Sequence, residues 1–206
     1  KDIAQILEEY FAAKEPEQEV PVVSEVIDIN HTKEYEDLII HKVNEHTRAY
    51  IKIQDGCNQF CSYCIIPYTR GRIRSKNPEE VIEEVKNLAA QGYKEIVLTG
   101  IHLSSYGKDL GTVNLLDVIK RIQQIEDVER IRLGSLEPRI ITEEFVKELV
   151  KCDKVCPHFH LSLQSGCDQT LKRMNRKYTT EEYEEALNIL RKYYEHPALT
   201  TDVIAG

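Results

Sequence analysis

Three cysteines crowd into residues 57–64 and carry the strongest chemical signal in this sequence. Cys57, Cys61 and Cys64 have CxxxCxxC spacing and follow Gly56 in the segment QDGCNQFCSYC. Three thiolates on one loop can hold a 4Fe-4S cluster and leave one iron without a protein ligand. A small molecule can chelate that open iron and receive an electron there. The spacing therefore predicts a redox metal centre with an open coordination site.

Zinc is the main alternative, because structural zinc takes four nitrogen or sulfur ligands. A fourth ligand could come from Cys152, Cys156 or one of the seven histidines. Zinc ligands usually come as two separated CxxC pairs, whereas these three cysteines share one loop, so an iron–sulfur cluster is favoured. The odd number of clustered thiols argues against a disulfide framework. The other cysteines, Cys167 included, are expected to be small packing residues.

The elements that must position this loop alternate between strand and helix from residue 48 onward. Strands are predicted at 48–54, 95–100, 129–134, 157–163 and 199–205. Helices are predicted at about 78–91, 114–125, 142–151, 168–175 and 180–195. Five strand–helix repeats indicate a parallel sheet with crossover helices, and the cysteine loop directly follows the first strand.

Alternating polarity within the strands distinguishes two kinds of parallel sheet. Strands covered by helices on both faces read as unbroken apolar runs. Here polar side chains take every second position, as Tyr50, Lys52 and Gln54 do in the first strand. His158 and His160 do so in the fourth. The sequence therefore predicts an α/β fold with a partial, open βα barrel whose polar face encloses a cofactor. An open sheet with one solvated face is the alternative.

Composition and charge limit the classes of function. The chain has 206 residues, 41% hydrophobic and 30% charged, values typical of a soluble globular protein. No stretch approaches the ~20 apolar residues of a membrane helix, and no export signal opens the sequence, so we expect a cytoplasmic protein. The net charge of −8 excludes nucleic-acid binding through the whole surface. Contacts with RNA must come from local basic patches or from another part of the protein.

Two local basic runs stand out against this acidic background. The first has a basic residue at every second position and consists of Arg70, Arg72, Arg74 and Lys76. In extended backbone all four side chains would project to one side, and we expect them to contact nucleic acid. The second follows the fourth strand and consists of Lys172, Arg173, Arg176 and Lys177. Both runs lie at carboxyl ends of strands, where βα barrels form their sites, which favours function over a solvated surface.

The longer motifs resemble a known family. The segments QDGCNQFCSYCIIPYTRGRIRS, LSLQSG and LKRMNR are similar to those of the radical S-adenosylmethionine (radical SAM) methylthiotransferases, and the likeness covers residues 48–206. After the second strand stands VLTGIHLSSYG, at residues 97–107. That segment is similar to the threonylcarbamoyladenosine tRNA branch of the family, whereas the isopentenyladenosine branch has a GQN element and the ribosomal-protein branch a QD element.

The resemblance implies that Cys57, Cys61 and Cys64 hold a 4Fe-4S cluster whose open iron binds S-adenosylmethionine. It places Tyr63 near the adenine, although a purely structural aromatic is an alternative there. Glu137 is expected at the ribose hydroxyls, with a simple helix-start charge as its alternative. The full set of expected cofactor-binding residues is Tyr63, Thr99, Gly100, Ser135, Glu137, Gln164, Ser165, Arg173 and Arg176.

The implied reaction is methylthiolation of carbon 2 of N6-threonylcarbamoyladenosine at position 37 of tRNA. The anticodon stem-loop would be the substrate, and a flavodoxin or ferredoxin the electron donor, without any membrane association. Isopentenyladenosine tRNA or a ribosomal protein is the alternative substrate. A non-catalytic zinc or iron–sulfur binding module is the alternative of another class.

The family also implies a division into domains. Its members have an N-terminal domain with a second 4Fe-4S cluster, then the barrel, then an RNA-binding TRAM domain. Residues 1–19 are expected to be the tail and linker of the first domain, 20–47 an extended connector, and 48–206 a barrel that stops after its fifth strand. We expect this stretch by itself to be inactive in the full reaction.

Overall fold

The computed structural model describes residues 3–12, 28–36 and 47–205. Helix α1, Ile3–Ala12, lies within residues 1–19, the stretch expected to be the tail and linker of the first domain. A 3-10 turn, Ile29–His31, is capped by Asp28, whose side chain accepts a hydrogen bond from the Asn30 amide. This turn stands where extended backbone was expected, because the local cap competes with a strand. The rest of the predicted connector lies outside the described residues.

From residue 48 the chain forms a curled sheet. Its strands are β1 Arg48–Asp55, β2 Arg74–Ser75, β3 Glu95–Gly100, β4 Arg130–Leu133, β5 His158–His160 and β6 Ala198–Thr200. The first four are ordered β2-β1-β3-β4, and β5 pairs with β6. Only β2 runs antiparallel among these paired strands. Parallel bridges at Ile131–Val155 and Leu136–Leu161 join the two parts, so the predicted partial βα barrel is confirmed.

The crossover helices follow the sequence closely. They are α2 Ile66–Thr69, α3 Pro78–Ala90, α4 Leu115–Ile122, α5 Glu143–Leu149, α6 Asp168–Arg173 and α7 Thr180–Tyr193. Asn77 caps α3 by accepting the Glu79 amide, and Thr179 forms a capping box with Glu182. The single turn α2 was not predicted, because one turn carries no periodicity. No helix in the described part of the chain is long and apolar enough to cross a membrane.

The outer face of the sheet is apolar and packs under the helices. Ile51 and Ile53 of β1 and Leu98 of β3 are 0–1% exposed, and Val81 and Val85 of α3 are fully buried in the same core. Each such side chain stabilises the fold by roughly 1.5–3 kcal/mol. This packing fixes the strands, and therefore the starting points of the loops that follow them.

The inner face is largely polar, as predicted. Glu95 accepts hydrogen bonds from Arg130 Nε at 3.1 Å and Arg132 Nε at 2.8 Å, across two neighbouring strands. Tyr50 on the same face is 46% exposed. Val97 is a buried apolar exception. The polar side chains are thus held above the sheet within the curl.

Strands β5 and β6 are shorter than predicted, because a side chain interrupts their pairing. The Leu163 amide donates to Thr201 Oγ1 at 3.0 Å, so a side chain replaces the backbone carbonyl of a regular ladder. Pairing resumes at one bridge, between Gln164 and Val203. Gln164 itself has a φ of 68°, which ends the extended run.

Candidate metal and cofactor site

The cysteine loop, residues 56–65, follows β1 at the carboxyl edge of the sheet. Gln54, fully buried, organises its start: Nε2 donates to the Gly56 carbonyl at 2.7 Å, and Oε1 accepts the His102 amide at 2.6 Å. Gly56 has a φ of 67°, and a Cβ there would lie 1.8 Å from the Arg72 carbonyl oxygen. Glycine is therefore required at this turn.

The three predicted thiols lie close enough to influence one another. Burial raises the pKa of Cys57, and the neighbouring Cys61 and Cys64 raise it further. Two sulfurs receive N–H donors: the Gln59 amide lies 3.4 Å from Cys57 Sγ, and Arg176 Nη1 lies 3.3 Å from Cys61 Sγ. Such donors favour the thiolate form that metal ligation needs.

This donor set fits an iron–sulfur cluster better than zinc. Three thiols on one loop match the cysteine ligation of 4Fe-4S clusters. Within residues 3–12, 28–36 and 47–205, no three His, Cys, Asp or Glu side chains are already gathered around one metal position, so the thiols must turn to ligate. Cys152 is buried in the hydrophobic core, and Cys156 precedes β5 at the amino edge of the sheet. Neither is placed to complete a zinc site with the loop at the opposite edge.

Residues 174–178, the brace segment, tie the cysteine loop to the second half of the sheet. The Ser62 amide donates to the Met174 carbonyl at 3.0 Å. Asn175 Nδ2 donates to the Phe60 carbonyl at 2.8 Å. Both Asn175 and Phe60 have left-handed backbone, with φ of 58° and 52°. Left-handed backbone is tolerated by asparagine but unfavourable for phenylalanine, so the contact stabilises Phe60 in particular.

Arg176 completes this link between loop and strand. Its Nε donates to Tyr178 Oη at 3.0 Å while its Nη1 reaches the Cys61 sulfur. Tyr178 is 4% exposed, and its hydroxyl donates to the Ser162 carbonyl at 2.5 Å. Among the residues that the structure describes, no carboxylate lies within 4.0 Å of the Arg176 guanidinium. Its charge is therefore directed at the thiol.

The other expected cofactor residues divide into two groups. Glu137 is 8% exposed, and its carboxylate accepts from Arg139 Nε at 2.5 Å. Thr99 donates its hydroxyl to the Ile51 carbonyl at 3.1 Å. Gly100 packs so tightly that a Cβ there would lie 2.9 Å from Gln54 Cβ. These residues lie at the same carboxyl edge as the cysteine loop.

The remaining expected cofactor residues are more exposed or make weaker contacts. Ser135 is exposed, and Arg173 is exposed with a weak 3.4 Å contact to Thr170 of its own helix. Tyr63 is 47% exposed beside Arg176, Cys61 and Cys64. Gln164 and Ser165 lie at the sheet rim, where Ser165 Oγ accepts the Cys167 amide at 3.3 Å. Cys167 is exposed, so its predicted packing role is wrong. The roles of the expected cofactor residues stay predictions.

The expectation that the first basic run projects to one side is wrong. Only Arg74–Ser75 is extended, and the chain turns at Gly71. Arg74 is 5% exposed and donates from Nη1 to the Arg70 and Arg72 carbonyls. Lys76 is 2% exposed and forms a 2.6 Å ion pair with Glu84. Arg70 and Arg72 remain at the surface, and their contact with nucleic acid stays a prediction.

Several residues of the site were not predicted from the sequence, although Gln54 and Asn175 lie within the quoted motifs. Gln54, Asn175 and Tyr178 make contacts distant in sequence, to His102, Phe60 and Leu163 respectively. His102 lies in the branch-specific segment, and its Nδ1 is 2.6 Å from Ser105 Oγ. Burial lowers the pKa of His102 to about 4, an effect that Glu137 only partly offsets. His102 is therefore neutral at pH 7. Of these four residues, only Asn175 had a usable signal, the tolerance of asparagine for left-handed backbone.

Comparison with known proteins agrees with this geometry. The family model of the radical SAM superfamily matches residues 51–206. The radical S-adenosylmethionine methyltransferase TsrM from Kitasatospora setae covers 76% of this chain at a TM-score of 0.60 and 20% identity, over 31% of its own length. The cobalamin-dependent S-adenosylmethionine radical enzyme OxsB covers 75% at 0.61 and 16% identity, over 23% of its own length. These two structures show a shared fold.

Curated sequences are more similar. The threonylcarbamoyladenosine tRNA methylthiotransferase MtaB of Bacillus subtilis (strain 168) is 44% identical over 89% of this chain and 41% of its own length. MtaB of Aquifex aeolicus (strain VF5) is 40% identical over 100% and 48%. A tRNA-2-methylthio-N(6)-dimethylallyladenosine synthase of Clostridium botulinum (strain Langeland) is 42% identical over 84% and 40%. The chain thus spans less than half the length of these relatives.

Proposed function

This chain belongs to the radical SAM superfamily, and on that premise we propose that it forms the radical SAM part of a tRNA methylthiotransferase. The relatives at 40–44% identity are named as enzymes of that class. One observation carries the proposal: three thiols share a loop at the carboxyl edge of β1, with Arg176 Nη1 3.3 Å from Cys61 Sγ. That edge is where βα barrels place their chemistry.

The roles of the residues follow from their contacts. Cys57, Cys61 and Cys64 would hold the 4Fe-4S cluster, which when bound supplies the electron that cleaves S-adenosylmethionine. Arg176 orients the Cys61 sulfur and lowers the cost of its negative charge. Arg139 orients the Glu137 carboxylate through its hydrogen bond to Oε1, and this carboxylate would accept hydrogen bonds from the ribose hydroxyls.

Contacts at β3 support the rest of the cofactor site. The close approach of Gly100 to Gln54 leaves the end of β3 free of a side chain, where the cofactor's amino group would lie. Thr99 is anchored by its hydrogen bond to the Ile51 carbonyl, which keeps that end of the strand in register with β1. These residues would thus bind and orient the cofactor.

The finer proposal is that the substrate is N6-threonylcarbamoyladenosine at position 37 of the tRNA anticodon stem-loop. Its support is the segment at 97–107, which is similar to that branch of the family. Relatives named for the dimethylallyladenosine reaction match almost equally well, so that substrate is the second candidate. A second 4Fe-4S cluster, a flavodoxin or ferredoxin donor and a cytoplasmic location complete the proposal.

The first experiment tests the cluster. After anaerobic reconstitution with iron and sulfide, the chain should bind about four irons and, with dithionite and S-adenosylmethionine, release 5′-deoxyadenosine. Each of Cys57→Ala, Cys61→Ala and Cys64→Ala should abolish both, because each removes a ligand. Cys167→Ser, at an exposed cysteine outside the loop, is the matched control and should change neither. A full cluster in Cys61→Ala, or one tightly bound zinc in the wild type, would contradict the assignment.

A second experiment tests the substrate. Residues 48–205 replace the matching stretch of the Bacillus subtilis relative in a strain without that enzyme, and tRNA nucleosides are analysed by mass spectrometry. Methylthiolated threonylcarbamoyladenosine is expected. The same graft in the Clostridium botulinum relative tests whether the substrate preference comes from residues 48–205 or from the rest of the host enzyme. Methylthiolation of the isopentenyl-type adenosine in both grafts would select the second candidate.

A further inference from the structure

Helix α2 and the two exposed residues of the first basic run, Arg70 and Arg72, form a surface beside the cysteine loop. Tyr68 is 61% exposed, and its ring meets Phe60 edge to face, with centroids 5.6 Å apart at 80°. The Arg72 guanidinium lies over the same Phe60 ring, 4.6 Å from its centroid. We call Phe60, Tyr68, Arg70 and Arg72 the aromatic–arginine platform.

The middle of the platform is held in place by backbone contacts. Phe60 adopts a φ of 52°, which is unfavourable for an aromatic residue. Asn175 Nδ2 stabilises that conformation with its 2.8 Å hydrogen bond to the Phe60 carbonyl. The ring on which Arg72 and Tyr68 rest is therefore presented in one orientation.

Hydrogen bonds also fix the position of the platform relative to Cys57, the first cysteine of the loop. The Cys57 amide donates to the Gly71 carbonyl at 3.1 Å, and the Ile73 amide donates to Asn58 Oδ1 at 3.3 Å. Gly56 packs directly on the Arg72 carbonyl. A ligand held by the platform would thus lie at a set offset from the cluster site.

Neither of the two exposed arginines has a carboxylate within hydrogen-bonding distance among the described residues. Arg70 is 55% exposed, and its nearest carboxylate oxygen, on Asp55, is 3.9 Å away, which is too long for a hydrogen bond. Arg72 has no carboxylate within 4.0 Å in the described segments. A guanidinium stacked on a ring keeps its N–H edge free for a phosphate. Arg72 is such a group, and Arg70 adds a second exposed cation on a chain whose net charge is −8.

We propose that the aromatic–arginine platform binds an unpaired nucleotide that flanks the modified base, with that nucleotide's base stacked on Tyr68 and its phosphates on Arg70 and Arg72. Single-stranded RNA is recognised by stacking on aromatic side chains combined with basic groups. An acidic redox protein would need charge complementarity over a wide surface, whereas the platform contributes only two exposed cations, Arg70 and Arg72. The inference rests on the proposed function, because it assumes an RNA substrate.

The test measures binding of a fluorescently labelled RNA hairpin with an unpaired loop by anisotropy, at several salt concentrations. Tyr68→Ala should weaken binding by about tenfold without changing the salt dependence, because it removes stacking alone. Tyr68→Phe should bind like the wild type. Arg72→Ala should weaken binding and reduce the slope of log K against log salt by about 1. Arg191→Ala, which removes an exposed arginine from the outer helix α7, is the charge-matched control and should have little effect.

The outcomes separate this proposal from the proposed function. Equal RNA binding by all variants, or no binding by the wild type, overturns the platform. If the Tyr68→Ala and Arg72→Ala variants bind RNA like the wild type but lose cluster reduction by flavodoxin, the proposal is also overturned. The surface is then a binding site for the electron-donor protein. If the grafted enzymes fail to methylthiolate tRNA while the variants show the expected changes in RNA binding, the proposed function is overturned. The proposal for the platform is then retained.

Discussion

The two basic runs look alike as charge patterns, yet they divide between surface and interior in different ways. In the first run Arg74 and Lys76 are buried. In the second, Arg176 is the half-buried member, whereas Lys172 and Arg173 are exposed. A cation can leave water only where partners replace its hydration. The partner of each buried or half-buried cation therefore indicates its role in the protein.

The partners differ in kind. Lys76 forms a close ion pair with Glu84, 2.6 Å apart, with both side chains more than nine-tenths buried. Both charges are removed from water inside the fold, so we assign this pair a structural task. Arg176 has no carboxylate partner within the described ranges and instead reaches the sulfur of Cys61. One buried cation thus holds the barrel together, and the other serves the candidate metal site.

The largest expected effect breaks the structural pair. Lys76→Ala leaves the Glu84 carboxylate buried without its cation and should lower the free energy of unfolding by about 3–5 kcal/mol. The double variant Lys76→Met, Glu84→Leu should recover most of this loss, since it removes both charges. Urea denaturation followed by circular dichroism measures both. A loss below ~1 kcal/mol for Lys76→Ala would show that the pair is not structural.

A smaller effect concerns His102, a basic side chain that is half-buried near Glu137. Its pKa is lowered to about 4, chiefly by burial, so the unfolded chain binds more protons than the folded protein between pH 4 and 6.5. Stability from this group is therefore complete above pH 6.5 and decreases as the pH falls, by up to about 3 kcal/mol at pH 4. The charged groups that contribute around it are Glu137, Lys108, Arg176 and Arg139.

The check compares wild type with His102→Gln, which is neutral throughout. The difference between their free energies of unfolding should change by that amount from pH 7 to pH 4. A constant difference over this range would mean that His102 titrates normally. A change of the expected size sharpens the contrast with Lys76, which has a carboxylate partner in Glu84.

The smallest of the three effects concerns Arg176. Removing a group that orients a metal ligand typically costs ~10–100-fold in metal affinity, so Arg176→Ala should release iron to a chelator correspondingly faster. Lys172→Ala, an exposed member of the same run, should leave iron release unchanged. Anaerobic absorbance during chelation measures the rate. If both variants behave alike, Arg176 acts only through the general charge of the run.

The regular elements of the fold were largely predictable from local signals. Asn77 and Thr179 cap α3 and α7 where their residue types indicate helix starts. The alternation in β1 correctly assigned one face to the helices and the other to the inside of the curl. In contrast, β2 and the early end of β5 depend on partners far away in the sequence, such as Thr201 for the Leu163 amide.

The candidate site was predictable only in part, for the same reason. Spacing alone singled out Cys57, Cys61 and Cys64, because ligands of one cluster must lie close along a loop. The pattern of every second residue placed Arg70 with Arg72 and Arg74, but that argument assumes an extended backbone, and the chain turns at Gly71 instead. Which arginine is buried depends on the three-dimensional positions of its acceptors.

The sequence by itself determined the strand–helix alternation, the polarity of the two sheet faces and the loop that carries the thiols. These features arise from side chains a few residues apart, where backbone geometry fixes their relation. Only the tertiary structure decided that Asn175 holds Phe60 and that Arg176 faces Cys61, across more than a hundred residues of sequence. Such contacts depend on how the sheet curls, because the curl brings the chain after β5 back onto the loop after β1.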